Sequence, residues 1–330
     1  MSKEEFDVIG IGNAIVDVIC PVDDDFLTEH GLPKGMMTLV DTQTAEGIYV
    51  SMDERVEVSG GSAANTLAGI ASLGGCGAYI GKVRDDKLGD VFCRDMQAIG
   101  VNYLTAPANQ GEPTARCLIG VTPDAQRTMA TYLGVSVLLQ PEDINLDAIR
   151  AAKITYLEGY LFDRPEAKEA FYTASVAAHS ADRKVALTLS DGFCVNRHRE
   201  EFIELINNHV DILFANELEI TALFETDNFQ EAISQVVGCC EIAALTRGEN
   251  GASILSSVGM TEISAHKVDK VIDTTGAGDL FAAGFLFGLT NGYSLTESGS
   301  IGALAAAEVI GHYGARPETP LSQILQGMPF

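Results

Sequence analysis

Asp273-Thr274-Thr275-Gly276-Ala277-Gly278-Asp279 runs directly into an apolar segment, 280–289. Glycines flank Ala277, so the backbone can turn tightly there and point successive N–H groups at one spot. That spot suits an anion. A helix beginning at about Asp279 adds the positive end of its macrodipole, which favours a phosphate or a charge developing on one. The same turn carries a carboxylate, and a carboxylate beside an anion hole repels phosphate unless it serves the chemistry. Asp279 therefore reads as a base that accepts a proton from a substrate hydroxyl. The amides of Gly276, Ala277 and Gly278 would then stabilise the transferring phosphoryl group. The residues alone leave a second reading open, in which Thr275 or Asp279 caps a buried helix.

Around this stretch, 330 residues suit one large α/β unit with a smaller appendage. The 46 acidic and 21 basic residues give a formal charge of −25, which repels nucleic acid and anionic membrane surfaces, so the expected partners are small molecules. No basic segment followed by an apolar run precedes Phe6, and no apolar stretch reaches the ~20 residues that span a bilayer, so the expected location is cytoplasmic. Seven cysteines without a Cys-x-x-Cys pair argue against a disulfide framework and against zinc. The six histidines show no His-Glu-x-x-His spacing.

The first segment, Phe6-Asp7-Val8-Ile9-Gly10-Ile11-Gly12, is a buried-strand run ending in glycines. A dinucleotide fingerprint fails here, because the third glycine is missing and residues 14–20 are β-branched rather than helical. Asn13 and Asp17 are polar positions in an apolar stretch that can face one side, which suits sugar hydroxyls or, equally, a strand edge. Segments 36–40 and 55–58 look like strands around a helix at 42–52. Ser59-Gly60-Gly61-Ser62-Ala63-Ala64-Asn65 then opens a helix to about residue 73, and a ligand can lie against Gly60 and Gly61 with Asn65 reaching it. Residues 114–133 predict a hairpin broken at 124–126, which with 15–58 forms a small sheet over the site. Arg127 lies just past that break.

After Pro141 the pattern alternates: helices at 143–152, 165–179, 199–208 and 229–237, strands at 154–157, 184–189, 212–215 and 242–246. This predicts a parallel sheet covered on both faces, with ligands at the strands' carboxyl ends. Asn216 and Glu219 share a face of a starting helix there and offer hard oxygen ligands for Mg²⁺, or simply a cap. A final alanine-rich helix spans 300–310.

The stretch 273–279 closely resembles the C-terminal signature of the ribokinase-like (PfkB) kinases, and Gly60-Gly61 with Asn65 resembles the N-terminal one. The resemblance covers essentially the whole chain. It implies a three-layer α/β/α sandwich with a mainly parallel central sheet and a small β-sheet lid, drawn from about 13–58 and 101–135 within one domain, 1–330. It further implies Asp279 as catalytic base and Gly276, Ala277 and Gly278 as anion hole. Asn13, Asp17, Gly60, Gly61 and Asn65 would hold the acceptor. ATP would lie against Thr246 and Gly248 with its adenine near Ala306 and Ile310, and Arg127 would reach its phosphates. Asn216 and Glu219 would orient Mg²⁺ through water, and Asp273 and Thr275 resemble a monovalent-cation (K⁺) site. No Walker-type or protein-kinase glycine loop occurs, so ATP must be held in this other way.

Residues 187–193 and 209–217 look more like the adenosine kinases of this family than its ribokinases or fructokinases. Gly159-Tyr160 resembles their glycine-aromatic pair, and that ring could stack on a purine or pack in the core. The expectation is therefore an ATP- and Mg²⁺-dependent kinase, monomer or homodimer, acting on the 5′-hydroxyl of adenosine. A sugar kinase is the alternative, and a non-catalytic binder of the same fold the remote one.

Overall fold

Fourteen strands form two sheets among the described residues, 6–327, of the computed structural model. The strands are β1 Phe6–Ile11, β2 Ile15–Pro21, β3 Met37–Leu39, β4 Val56–Gly60, β5 Gly77–Ile80, β6 Val101–Tyr103 and β7 Ala115–Val121. They continue with β8 Arg127–Tyr132, β9 Ala152–Glu158, β10 Lys184–Thr188, β11 Ile212–Asn216, β12 Ile242–Thr246, β13 Ala252–Ser256 and β14 Gly259–Ile263. What sequence predicts for the residues before Phe6 lies outside the described residues.

The large sheet has nine strands in the order β14-β13-β12-β11-β10-β9-β1-β5-β6 and is parallel from β12 to β6. Side chains alternate across it. Val8, Ile154 and Tyr156 enter one core, with the helices Ser62–Leu73, Ala277–Thr290 and Leu295–Val309. Ile9, Ile11 and Leu157 enter the other, with Pro165–His179 and Gly192–His209. Both faces are thus covered, which is why these strands read as continuous apolar runs. The expected three-layer sandwich is the fold found. From β1 the chain moves to β5 on one side and later returns to β9 on the other. The strand order reverses at β1 and β9, and their carboxyl ends open the crevice where such sheets bind ligands.

The structure corrects several boundaries. Residues 247–251 are too few for a parallel crossover, so the chain turns back and β13 and β14 pair antiparallel at the edge, where sequence predicted no strands. The second sheet, ordered β3-β8-β7-β2-β4, takes the expected hairpin β7–β8 and the early strands. Val101–Tyr103, expected in the lid, instead pairs with β5 in the large sheet, because the helix Lys87–Ala98 between them completes a β-α-β unit. The helix expected at 199–208 starts at Gly192 and is broken at His198 (φ −129°, ψ 27°). The last long helix begins at Leu295 rather than 300, under a capping box of Ser294 and Glu297.

The helix Ala277–Thr290 is buried almost all round, from Leu280 to Gly288. Small residues let its neighbours approach to backbone contact. A Cβ on Gly284 would lie 2.6 Å from the Ile301 carbonyl oxygen, and one on Gly302 would lie 2.7 Å from that of Phe281. This crossing fixes the helix whose first turn carries Asp279. Gly284→Ala should cost about 1–3 kcal/mol, the usual scale for overpacking. Urea unfolding measures it, and an unchanged midpoint and slope would contradict this packing.

Candidate active site

The first turn of Ala277–Thr290 follows Gly276, whose left-handed conformation (φ 79°) and contact with Ala315 both require glycine. The Ala277 N–H already donates to the Thr274 carbonyl at 3.2 Å. Those of Gly278 and Asp279 occupy first-turn positions that a helix leaves without internal partners, and nothing lies within 4 Å of where a Gly278 Cβ would be. Asp279 is half-buried. Ser62 Oγ donates to its Oδ1 at 2.6 Å and Asn65 Nδ2 to its Oδ2 at 3.1 Å. Burial raises its pKa above the usual carboxylate range, against those two hydrogen bonds.

Ser62 and Asn65 stand on the first turn of Ser62–Leu73, which starts after Gly60-Gly61. Gly61 has φ 95°, and a Cβ there would meet the Asn13 carbonyl oxygen at 2.4 Å. One on Gly60 would meet the Asp17 carboxylate at 2.5 Å. The glycine pair therefore makes room for Asn13 and Asp17 themselves. Desolvation lifts Asp17 to about 6, with Arg316 and Arg127 pulling it down and Asp279 pushing it up. The Asn13 side chain, 1% exposed, donates to Glu158 Oε1 at 3.0 Å and accepts from Ser136 Oγ at 2.9 Å.

Glu158 ends β9 at the switch point. It accepts from the Asn13 N–H (3.1 Å) and the Ala63 N–H (2.8 Å), so it ties β1, β9 and the Gly-Gly helix together. Burial pushes it to about 7. Just beyond it stands Tyr160, 39% exposed, whose N–H donates to Ser190 Oγ at 3.2 Å.

Asn216 and Thr246 are cross-strand partners at the ends of β11 and β12, and Gly248 follows in an open turn with φ 55°. Asn216 and Glu219 form a capping box, with Glu219 N–H to Asn216 Oδ1 at 2.8 Å and Asn216 N–H to Glu219 Oε2 at 2.9 Å. Burial raises Glu219 to about 7, and the charges of Asp191 and Asp279 add to it. Ala306 is half-buried on the helix Leu295–Val309 and Ile310 half-buried at its C-terminal cap, and the Ile310 carbonyl accepts from the Ile272 N–H at 2.8 Å. Arg127 pairs with Asp273. The Asp273 carboxylate also accepts from the Thr275 N–H (3.0 Å), Thr275 Oγ1 (2.6 Å) and the Gly314 N–H (3.1 Å).

A protein-family model, pfkB family carbohydrate kinase, matches residues 35–321. The chain belongs to that family. An adenosine kinase of Saccharomyces cerevisiae is 27% identical over 341 aligned residues, covering 96% of this chain and 98% of the relative. Among solved structures, an adenosine kinase from Sinorhizobium meliloti is 49% identical with a TM-score of 0.89, covering 98% of this chain and 99% of that one. A probable sugar kinase protein from Rhizobium etli CFN 42 is 48% identical with a TM-score of 0.90, covering 98% of both. The chain is an ATP-dependent kinase of the nucleoside and sugar class.

This family implies ATP and, as a rule, Mg²⁺. Each side-chain oxygen of Asn216 and Glu219 accepts one hydrogen bond and keeps a second lone pair, which fits a metal held through water. Among the described residues no group of three or more His, Cys, Asp or Glu is arranged to hold an ion directly. The Asp273 carboxylate does not fit K⁺ in the same way, since its acceptor positions are filled and Arg127 already supplies the cation. Among the described residues no helix is long and apolar enough to cross a membrane.

Sequence reading missed Ser62, Glu158 and Arg316. Ser62 lies inside the stretch quoted for Asn65. Glu158 carried a signal, an acid at the carboxyl end of an apolar strand. Arg316, whose Nε donates to Asn65 Oδ1 at 3.3 Å across 251 positions, carried none.

The buried carboxylates make stability depend on pH. Glu158 and Glu219, at about 7, and Asp17, at about 6, bind protons more tightly folded than unfolded, where about 4.5 and 3.8 apply. The stabilisation by protonation is fully present below those unfolded values and is lost as pH rises through 7. Urea unfolding between pH 5 and 8 should show stability falling with pH, less steeply in Glu158→Gln. An identical slope in that variant would contradict the assignment.

Proposed function

We propose that this kinase phosphorylates the 5′-hydroxyl of adenosine, giving AMP, with Asp279 as base. What carries the reading is Asp279 itself: a carboxylate at the mouth of an apolar helix, both oxygens held by donors, beside first-turn amides free to receive an anion. Ser62 and Asn65 aim the carboxylate, so the proton it accepts comes from a hydroxyl at a defined place. Burial raises its pKa, which strengthens it as a base. The amides of Gly278 and Asp279 and the helix dipole stabilise the transferring phosphoryl group. ATP lies along Thr246, Gly248, Ala306 and Ile310. Asn216 and Glu219 would hold Mg²⁺ through water, and the bound ion would supply charge neutralisation at the phosphates.

The acceptor side rests on Asp17 and Asn65 for the ribose hydroxyls and on Tyr160 for the base. Tyr160 is an aromatic left partly open beside the carboxylates, as a stacking platform for a purine would be. The adenosine kinases among the relatives support this reading. The second reading is a sugar acceptor, favoured by the similarity to the Rhizobium etli probable sugar kinase.

The test is transfer from ATP·Mg²⁺ to adenosine, 2′-deoxyadenosine, other nucleosides, ribose and fructose. Adenosine should give AMP with the highest kcat/KM. Removing the 2′-hydroxyl leaves a buried acceptor unmet, about 1–3 kcal/mol or roughly 5- to 150-fold in kcat/KM. Turnover of ribose or fructose without turnover of adenosine would replace this reading with the sugar one.

A further inference from the structure

Arg316 lies in the loop after the last long helix, and its side chain is only 20% exposed. Its Nε donates to Asn65 Oδ1 at 3.3 Å, and its Nη1 donates to Asp95 Oδ2 at 3.2 Å. The same Asp95 oxygen accepts from the Ser59 N–H at 2.7 Å and from the Ser59 hydroxyl. The guanidinium therefore spans the Gly60-Gly61 turn, anchored before it through Asp95 and Ser59 and after it at Asn65. Asn65 in turn donates from Nδ2 to the Asp279 carboxylate.

We infer that Arg316 is a positioning residue for the base, one that fixes which end of the Asn65 amide faces Asp279. The inference rests on the reading of Asp279 as base. An amide has a donor end and an acceptor end of nearly the same shape, and it can turn either toward a neighbour. A guanidinium has five donors and no acceptor, so beside Arg316 only the Asn65 oxygen is tolerated. The NH₂ is then committed to Asp279. An ionised Asp279 accepts that bond. A protonated Asp279 would instead gain from a turned amide, donating its O–H to Asn65 Oδ1. Arg316 blocks that arrangement and so withholds a partner from the protonated acid, which favours the ionised base.

Other titratable groups face Asp279 as well. Asp17 on β2, Tyr156 and Glu158 on β9, Tyr160 beyond it and Glu219 after β11 all feel its charge, and Arg316 and Arg127 act on Asp17. A shift caused by the bare charge of Arg316 must therefore be separated from one relayed through Asn65.

The experiment measures kcat between pH 5 and 9 for wild type, Arg316→Met, Asn65→Leu, the double variant and Asp279→Asn. Arg316→Met should move the acid limb of kcat up by about one pH unit, with turnover recovering at high pH. In the Asn65→Leu background the same change should leave the limb where Asn65→Leu alone puts it. An unmoved limb in Arg316→Met overturns the inference. So does a shift of equal size in both backgrounds, which would be the guanidinium's charge acting directly. Should Arg316→Met not fold, Arg316→Gln keeps a polar side chain but can present an acceptor, and its limb must move in the same direction or the inference fails. Asp279→Asn separates the two levels: near-normal turnover there removes the base assignment, whereas a dead Asp279→Asn with an unmoved Arg316→Met limb removes only the role of Arg316.

Discussion

Two neutral donors hold the Asp279 carboxylate, Ser62 Oγ at 2.6 Å and Asn65 Nδ2 at 3.1 Å. Both ride on one helical turn, and that turn is placed by Glu158, which accepts from Ala63 at the end of the strand next to β1. The reversal of strand order, the glycine pair and the helix of Asp279 thus meet in one hydrogen-bond network. Hydrogen bonds to a charged group are worth about 1.5–3 kcal/mol each, enough to set geometry but not to cancel the cost of burying several carboxylates together. The packing of Gly284 on the Ile301 and Gly302 backbone supplies the rigidity from the other side. A site held from both its sheet and its helices can keep a carboxylate within the few tenths of an ångström that proton transfer demands.

Charge explains much of the remainder. Asp17, Glu158, Glu219 and Asp279 crowd one cleft, and each is raised by desolvation before any neighbour is counted. Arg316 and Arg127 offset the rise at Asp17. Arg127 stands at the hairpin of the small sheet, while its partner Asp273 opens the loop into the Gly276 turn. The small sheet and the Gly276 turn are therefore joined by an ion pair.

Local pattern made much of this legible. Alternating apolar runs and helices gave the parallel sheet, because strands buried on both faces leave that signature. The turn at Gly276 was readable from minimal side chains beside a carboxylate. Other features were readable but passed over: Ser294-Leu295-Thr296-Glu297 is a capping-box sequence that places the last long helix five residues earlier than its alanines do. The edge strands β13 and β14 hide behind a short turn that mimics a strand-to-helix loop. Gly60 and Gly61 read as a place for ligand approach, and their missing Cβ atoms also make room for Asp17 and Asn13. Arg316 was beyond reach, since a loop arginine is informative only once the fold brings it to Asn65.

The central claim is that Asp279 takes a proton in the transfer step and does little for ground-state binding. Calorimetric titration of ATP·Mg²⁺ and of adenosine, set beside single-turnover rapid-quench transfer, tests it in Asp279→Asn, which keeps the side chain's shape and loses its basicity. Affinities within a few-fold of wild type with transfer slowed by roughly 10²-fold or more are expected, the scale of losing a general base. Transfer near the wild-type rate, or a loss explained wholly by weakened binding, would contradict the account.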